Sequence, residues 1–236
     1  MLKEFVEKLL ELKRETTVRV NDAEYSTVPL TRINIDTAES LNVSTLKGFV
    51  DYLNSEFDVM ANKVIVHIES PISVYAATMF NNDLVRNVMI KALAEIPRFN
   101  FDTFYDAEPF NIALQSKFVD VGDRADVLRV VGNIKEENVR TIGDDGVSQS
   151  VTAKIGVATV GEVVVPNPVT LAPYRTFTEV EQPSSEFVLR LSDGAKCGVF
   201  EADGGAWKMQ AVENIRNYLS EHLSGRIAAD KIVIIS

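Results

Sequence analysis

The hydrophobic positions of this chain follow two rhythms, a mostly helical one as far as Ile134 and a strand-like one from Val147 onward. Leu2, Phe5, Val6, Leu9 and Leu12 recur at spacings of three and four, which predicts an amphipathic helix over 2–13 with Lys and Glu opposite. A helix with such a stripe needs a cover, from its own chain or from a neighbouring subunit. Thr17 to Val20 and Glu24 to Val28 read as a hairpin around Asn21-Asp22, and Arg32 to Ile35 as a further strand. Ser44 is placed to cap a helix whose stripe is Leu46, Phe49, Val50, Leu53 and Phe57. Lys63 to Glu69 alternates as a strand, Ser70-Pro71 turns it, and Ile72 to Met79 returns. Asn82 or Asp83 opens a predicted third helix with Val85, Val88, Met89, Ala92, Leu93 and Ile96 inward, stopped by Pro97. A fourth starts at Asp106 and carries Phe110, Ala113, Leu114 and Phe118; a fifth, capped by Asp123, buries Val127, Leu128, Val131 and Ile134.

From Val147 the period becomes two. Val147, Val151, Ala153, Ile155 and Val157 alternate with polar residues and glycine, and Val163 and Val165 continue after a break at Gly161. Pro166 to Pro183 reads as an ordered irregular connection, too aromatic and acidic for a flexible linker. Glu186 to Leu191 and Lys196 to Phe200 pair around Ser192-Asp193-Gly194-Ala195, a strong hairpin signal. Asp203 caps a long helix bearing Val212, Ile215, Leu219 and Leu223, which Gly225 ends, and Ile232 to Ile235 forms a last strand. This order predicts an α+β fold: a helical middle, antiparallel hairpins, a mixed sheet, and a long C-terminal helix followed by a short strand. One domain is expected over 1–236, divisible into a helix-rich 1–140 and a β-rich 141–236.

Composition narrows the partners. A net charge of −10 argues against a protein that wraps nucleic acid, because phosphate neutralisation needs clustered Lys and Arg, and no basic run is present. Cys197 is the single cysteine, so no intrachain disulfide or thiolate cluster forms; it sits in a predicted strand as a small buried thiol. Met1 to Phe5 does not begin a signal peptide and no stretch is apolar enough for a membrane span, so no membrane partner and a cytoplasmic location are expected.

Candidate chemistry is sparse. His67 lies mid-strand, opposite in direction to Val64, Val66 and Ile68, and His222 ends a helix, where its charge suits the dipole. Neither is placed beside a nucleophile, and Gly146-Val147-Ser148-Gln149-Ser150 lacks the second glycine of a nucleophile elbow, so no catalytic residue is assigned. Asp144 and Asp145, with Glu162, Glu179, Glu181, Glu201 and Asp203 in reach along the sequence, are weak oxygen-ligand candidates for Mg²⁺; the competing reading is a turn between elements. No Walker loop or dinucleotide fingerprint occurs, and no cofactor is expected. Asp203-Gly204-Gly205 at a helix start can present bare N–H groups to an anion or serve as a plain cap. Tyr174, Arg175 and Phe177 form the one aromatic and basic cluster, suited to stacking single-stranded nucleic acid or to packing. Trp207 is a candidate anchor for the last helix or for an interface.

The run from Val165-Pro166-Asn167-Pro168 through Leu171-Ala172-Pro173-Tyr174-Arg175-Thr176-Phe177 and Glu179-Val180-Glu181-Gln182-Pro183, then Phe200-Glu201-Ala202-Asp203-Gly204-Gly205-Ala206-Trp207, resembles the YfdQ-like family of phage and prophage proteins. Val131-Gly132-Asn133-Ile134 to Val151-Thr152-Ala153-Lys154 is similar to it as well. The resemblance covers the last half of the chain, and the first half in length and order of elements. It implies a phage or prophage origin and a bacterial cytoplasm, and brings no catalytic residue with it. Together these readings favour a non-enzymatic accessory protein that assembles with itself into a ring or shell, with a phage or host protein as a further partner. The alternatives are a nucleic-acid accessory in phage replication or recombination, and a protein that sequesters a host nucleotide signal or defence factor.

Overall fold

The structure, a computed structural model, describes residues 2–12, 17–20, 23–26, 38–55, 58, 63–81, 84–132, 140–144, 149–155, 159–165, 167–192 and 194–236. The chain divides into two compact units, Met1–Ala38 and Glu39–Ser236. The expected boundary near residue 140 is not the one the contacts follow, because strands from either side of it share sheets.

The first unit holds α1 (Leu2–Leu12), β1 (Thr17–Val20) and β2 (Ala23–Ser26). The two strands are antiparallel with Val20 opposite Ala23, so Asn21-Asp22 are the two residues between them, as a tight hairpin requires. The strand expected at Arg32 to Ile35 lies outside the described residues.

The second unit runs β3 (Leu41–Val43), α2 (Leu46–Asn54), β4 (Val64–Ser70), β5 (Ser73–Thr78), β6 (Val88–Leu93), β7 (Tyr105–Asp106), α3 (Ala107–Lys117) and α4 (Arg124–Gly132). It continues with β8 (Arg140–Asp144), β9 (Gln149–Ile155), β10 (Thr159–Val165), β11 (Val169–Leu171), β12 (Ser185–Ser192) and β13 (Lys196–Glu201). It ends with α5 (Trp207–His222), α6 (Ser224–Ala228) and β14 (Ile232–Ile235). The fold is α+β, with a mixed five-stranded sheet ordered β14-β4-β5-β6-β3 and an antiparallel four-stranded sheet ordered β11-β12-β13-β7. A third, antiparallel sheet is ordered β10-β9-β8.

Two cores follow from these sheets. In the first, one face of the five-stranded sheet (Val64, Val66, Ile68, Val74, Ala76, Ile90, Ala92, Ile232) packs with Phe49 and Leu53 of α2 and Ile215 and Leu219 of α5. In the second, Phe187, Leu189 and Leu191 of β12 meet Phe110 and Leu114 of α3 and Val127 and Val131 of α4. Each of these fully buried large side chains contributes about 1.5–3 kcal/mol by leaving water. Phe99 links the second core's rim: it stacks on Tyr105 at 5.2 Å and meets Phe118 edge-on at 5.1 Å.

The largest departure from expectation is the third helix. Residues 88–93 are strand β6, with Ala76 opposite Ile90 and Val74 opposite Ala92. Ile90 and Ala92 are buried while Lys91 between them is not, the period of a strand rather than of a helix. Five apolar residues in six, interrupted by Lys91, satisfy both periods, and β5 beside them supplies the ladder that decides. The predicted opening residues Asn82 and Asp83 lie outside the described residues.

Smaller departures are local. The cap of α2 is Thr45, not Ser44; its hydroxyl accepts from the Gly48 amide at 3.1 Å. Gly161 lies inside β10 with Ala153 opposite, so it does not break that strand. Gly225 lies inside α6 instead of ending the helical region. Asp123 does not spend its carboxylate on α4; Oδ2 accepts from the Thr170 amide at 2.7 Å, and its own amide donates to the Thr170 carbonyl at 2.9 Å. This pair closes the free edge of β11. It demands glycine next door: a Cβ on Gly122, at φ +62°, would stand 2.4 Å from the Thr170 carbonyl oxygen.

The last strand takes the outer position beside β4, with Ile232 opposite Val64 and Ile235 opposite His67. The Val64 amide donates to the Lys231 carbonyl, so in a parallel ladder the alternate groups at Ile232 and Ile234 face away from β4. Arg216 reaches across that edge, its Nη1 donating to the Ile234 carbonyl at 3.5 Å and its Nη2 to the Ser236 hydroxyl.

Candidate functional site

Five of the seven residues singled out as ligand or interface candidates converge at one joint, and two do not. The joint is built where the irregular connection from 172 to 184 passes between the two cores. Gln182 fixes that path. Its Oε1 accepts from the amides of Arg175 (3.0 Å) and Thr176 (3.2 Å), and its Nε2 donates to the carbonyls of Phe177 (2.9 Å) and Val180 (3.2 Å). A buried amide with all these bonds made holds a loop as firmly as a turn of helix would. Thr176 adds a bond from its hydroxyl to the Pro71 carbonyl at 2.5 Å.

Arg175 is the centre, with only 4% of its surface exposed. Nη1 donates to Glu201 Oε1 at 2.9 Å and Nη2 to the Ser185 hydroxyl. Its guanidinium carbon lies 4.1 Å from the Trp207 ring centroid, 5.6 Å from Phe187 and 6.0 Å from Phe101. A cation over an indole face is attracted to the ring quadrupole, more strongly where water is excluded. Arg175 Nε and Trp207 Nε1 are both buried without a hydrogen-bond partner among the described residues. Burial lowers the guanidinium pKa to about 10, against the opposing pull of Glu201 and Asp203; it remains charged at neutral pH.

The sequence leads one to expect Asp203 as the cap of α5. That position is Ala206, which makes no side-chain cap bond, and Asp203 lies three residues earlier, in the turn that leads into the helix. Oδ1 accepts from the Gly205 amide at 2.9 Å and Oδ2 from the Trp207 amide at 3.2 Å. Gly204 (φ +62°) and Gly205 (φ +83°) make the turn that brings these amides round. Burial pushes the Asp203 carboxyl up, but the two amides, the Arg175 charge and the Ser185 hydroxyl outweigh it and leave the pKa below the usual value. The helix start is therefore filled by its own carboxylate, and the guanidinium beside it is engaged by another.

The expected stacking strip is not formed. Phe177 is buried in the first core, and the Tyr174 amide donates to the Lys117 carbonyl at 2.9 Å on the other side of the connection. With Arg175 and Phe177 both inside, this triplet does not present a row of aromatic and basic side chains to a nucleic acid. Asp144 ends β8 opposite Gln149, Asp145 lies outside the described residues, and among the described residues no three His, Cys, Asp or Glu side chains gather to hold an ion. Cys197 is fully buried in β13, and burial pushes its thiol up to about 12, far from a thiolate nucleophile.

Sequence reasoning placed Arg175, Asp203 and Trp207 near chemistry but did not connect them, and it gave Ser185 and Gln182 no role there. The signal was weak: Ser185 opens β12 and Glu201 closes β13, and only the register of that hairpin sets the two beside Arg175. A second polar group went unread on the outer face of the five-stranded sheet. His67 Nδ1 and the Tyr75 hydroxyl share a hydrogen bond at 2.7 Å, while Glu69 accepts from the Ser73 hydroxyl at 2.7 Å and from Lys91 at 3.2 Å. His222 donates from Nδ1 to the Tyr218 carbonyl at 2.9 Å and stacks on the Tyr218 ring at 4.1 Å. These pairs join neighbouring strands or successive helix turns.

No helix among the described residues is long and apolar enough to cross a membrane. Comparison of the chain with models of protein families, with curated proteins and with solved structures returns no match.

Proposed function

We propose that this chain is a non-enzymatic accessory protein of phage or prophage origin that works as a homo-oligomer in the bacterial cytoplasm. The observation that carries the reading is α1. Leu2 (82% exposed), Phe5 (63%), Val6 (47%) and Leu9 (50%) form its apolar stripe and stand in water. A contiguous apolar face of this kind needs a cover, and a second copy of the chain is the one proposed here. The resemblance to phage and prophage proteins supports the origin, and the Arg175 joint, closed by its own carboxylates, supports a structural role for the residues that looked most like a site.

Light scattering on a size-exclusion column tests the assembly. The expected result is a discrete mass several times that of the 26.1 kDa chain, falling when Phe5→Asp places a charge in the stripe. A wild-type chain that runs as a monomer at micromolar concentration overturns the reading.

A further inference from the structure

The two cores of the second unit are built from separate sets of elements. Among the described residues, no helix or strand of the first core packs along one of the second. The chain passes between them at 94–104 and 202–206. The connection 172–184 also bridges them: it leaves β11 of the second core, sends Phe177 and Val180 into the first, and returns to β12. Cores arranged in this way gain little from apolar burial between them, so directed contacts at the crossings have to hold them together.

Those contacts meet at Arg175. Towards the first core, the connection is tied by the Thr176 hydroxyl to the Pro71 carbonyl, by Asn214 Nδ2 to the Glu181 carbonyl at 2.9 Å, and by the Lys47 amide to Glu179 Oε1 at 3.2 Å. Towards the second, the Tyr174 amide donates to the Lys117 carbonyl at the end of α3. Arg175 engages both sides with one group. Its guanidinium binds Ser185, the first residue of β12, and Glu201, the last of β13. Phe187 and Phe101 flank it from the second core. The same group lies over Trp207, the first residue of the helix whose Ile215 and Leu219 fill the first core.

We propose that Arg175 is a latch that makes the two cores open and close as one. A contact that spans two cores is lost when either opens, so it disfavours both half-open states and leaves the closed and the fully unfolded ones populated. The planar fork of an arginine accepts one placing of its partners, so the same contact fixes how the cores stand to each other. The inference concerns the single chain and does not rest on the homo-oligomeric reading.

Native-state hydrogen exchange on the full chain, read by mass spectrometry at one protein concentration, tests it. Peptides from β4 and α5 report on the first core, and peptides from α3 and β12 on the second. In the wild type the most protected amides of both cores are expected to show a common protection. In Arg175→Ala the two sets are expected to separate, one core exchanging at least about tenfold faster than the other. Val66→Ala is the control: it opens a cavity at a fully buried site of the first core and is expected to speed both sets together. Glu201→Gln, at a side chain 35% exposed, weakens the latch while keeping the guanidinium, and carries the test if Arg175→Ala does not fold. Its expected separation is about threefold. Sets that already differ in the wild type, or that stay together in every folded latch variant, overturn the proposal.

Discussion

An arginine as buried as Arg175 has to be neutralised where it stands, and three kinds of partner share that work. Glu201 supplies charge, Ser185 an acceptor oxygen, and Trp207 a ring face. A buried pair of this sort is weak support for stability as such, since its desolvation offsets much of its attraction, but breaking one side leaves a stranded charge. Its position between the cores suggests a registering role: the same residue touches the end of β13, the beginning of β12 and the first turn of α5. Asp203 offers the cleaner test. Its carboxyl is held below the usual 3.8 by the amides and the Arg175 charge, against burial, so the folded state binds its proton less readily than the unfolded chain does. The stability it contributes is therefore present above its unfolded value and lost as pH falls through the folded one. Asp203→Asn keeps a capping oxygen but removes the charge. The variant is expected to melt below wild type at pH 7, where the charge contributes, and to approach wild type as pH falls from about 5 to about 2, so that its own acid slope is shallower. An unchanged acid slope would mean that the two amides and the guanidinium do not act on this group.

At the scale of elements, β6 carries the sharpest prediction, because a helix and a strand expose different residues of the same run. In the strand, Ile90 points into the first core and Lys91 outward to Glu69. Ile90→Ala is expected to cost about 2–5 kcal/mol in denaturant unfolding, and Lys91→Ala less than about 1 kcal/mol, as exposed ion pairs do. Comparable losses at both positions would contradict the strand. The same run shows what the sequence could tell. The stripe of α2 from Leu46 to Leu53 (Phe57, expected to continue it, lies outside the described residues), the hairpin of β12 and β13, and the extent of β14 were all legible, since each has one dominant period or a turn with its own chemistry. Residues 88–93 were not, because Val88-Met89-Ile90 fits either period and the deciding partner, β5, lies ten residues back. The Arg175 joint was illegible for a related reason. Ser185 and Glu201 gain meaning only from strand register, and an aromatic and basic triplet reads the same whether it faces water or a core.

Across the whole molecule, charge and apolar surface pull in opposite directions. A chain of net charge −10 repels its copies at long range, whereas the stripe of α1 and other exposed apolar side chains such as Leu84 favour contact at short range. Salt separates the two. The Debye length shrinks from about 30 Å at 0.01 M to about 3 Å at 1 M, so added salt removes the repulsion while leaving apolar burial intact. Assembly through these surfaces is therefore expected to tighten as ionic strength rises, with the midpoint of dissociation on dilution moving to lower protein concentration. Contacts made by ion pairs between copies would weaken over the same range, and so would binding of an anionic polymer, whose affinity falls steeply with salt. Light scattering across a salt series reads the direction directly. A mass that falls as salt rises would assign the contact to charged pairs, and the apolar stripe at Phe5 would then need another cover.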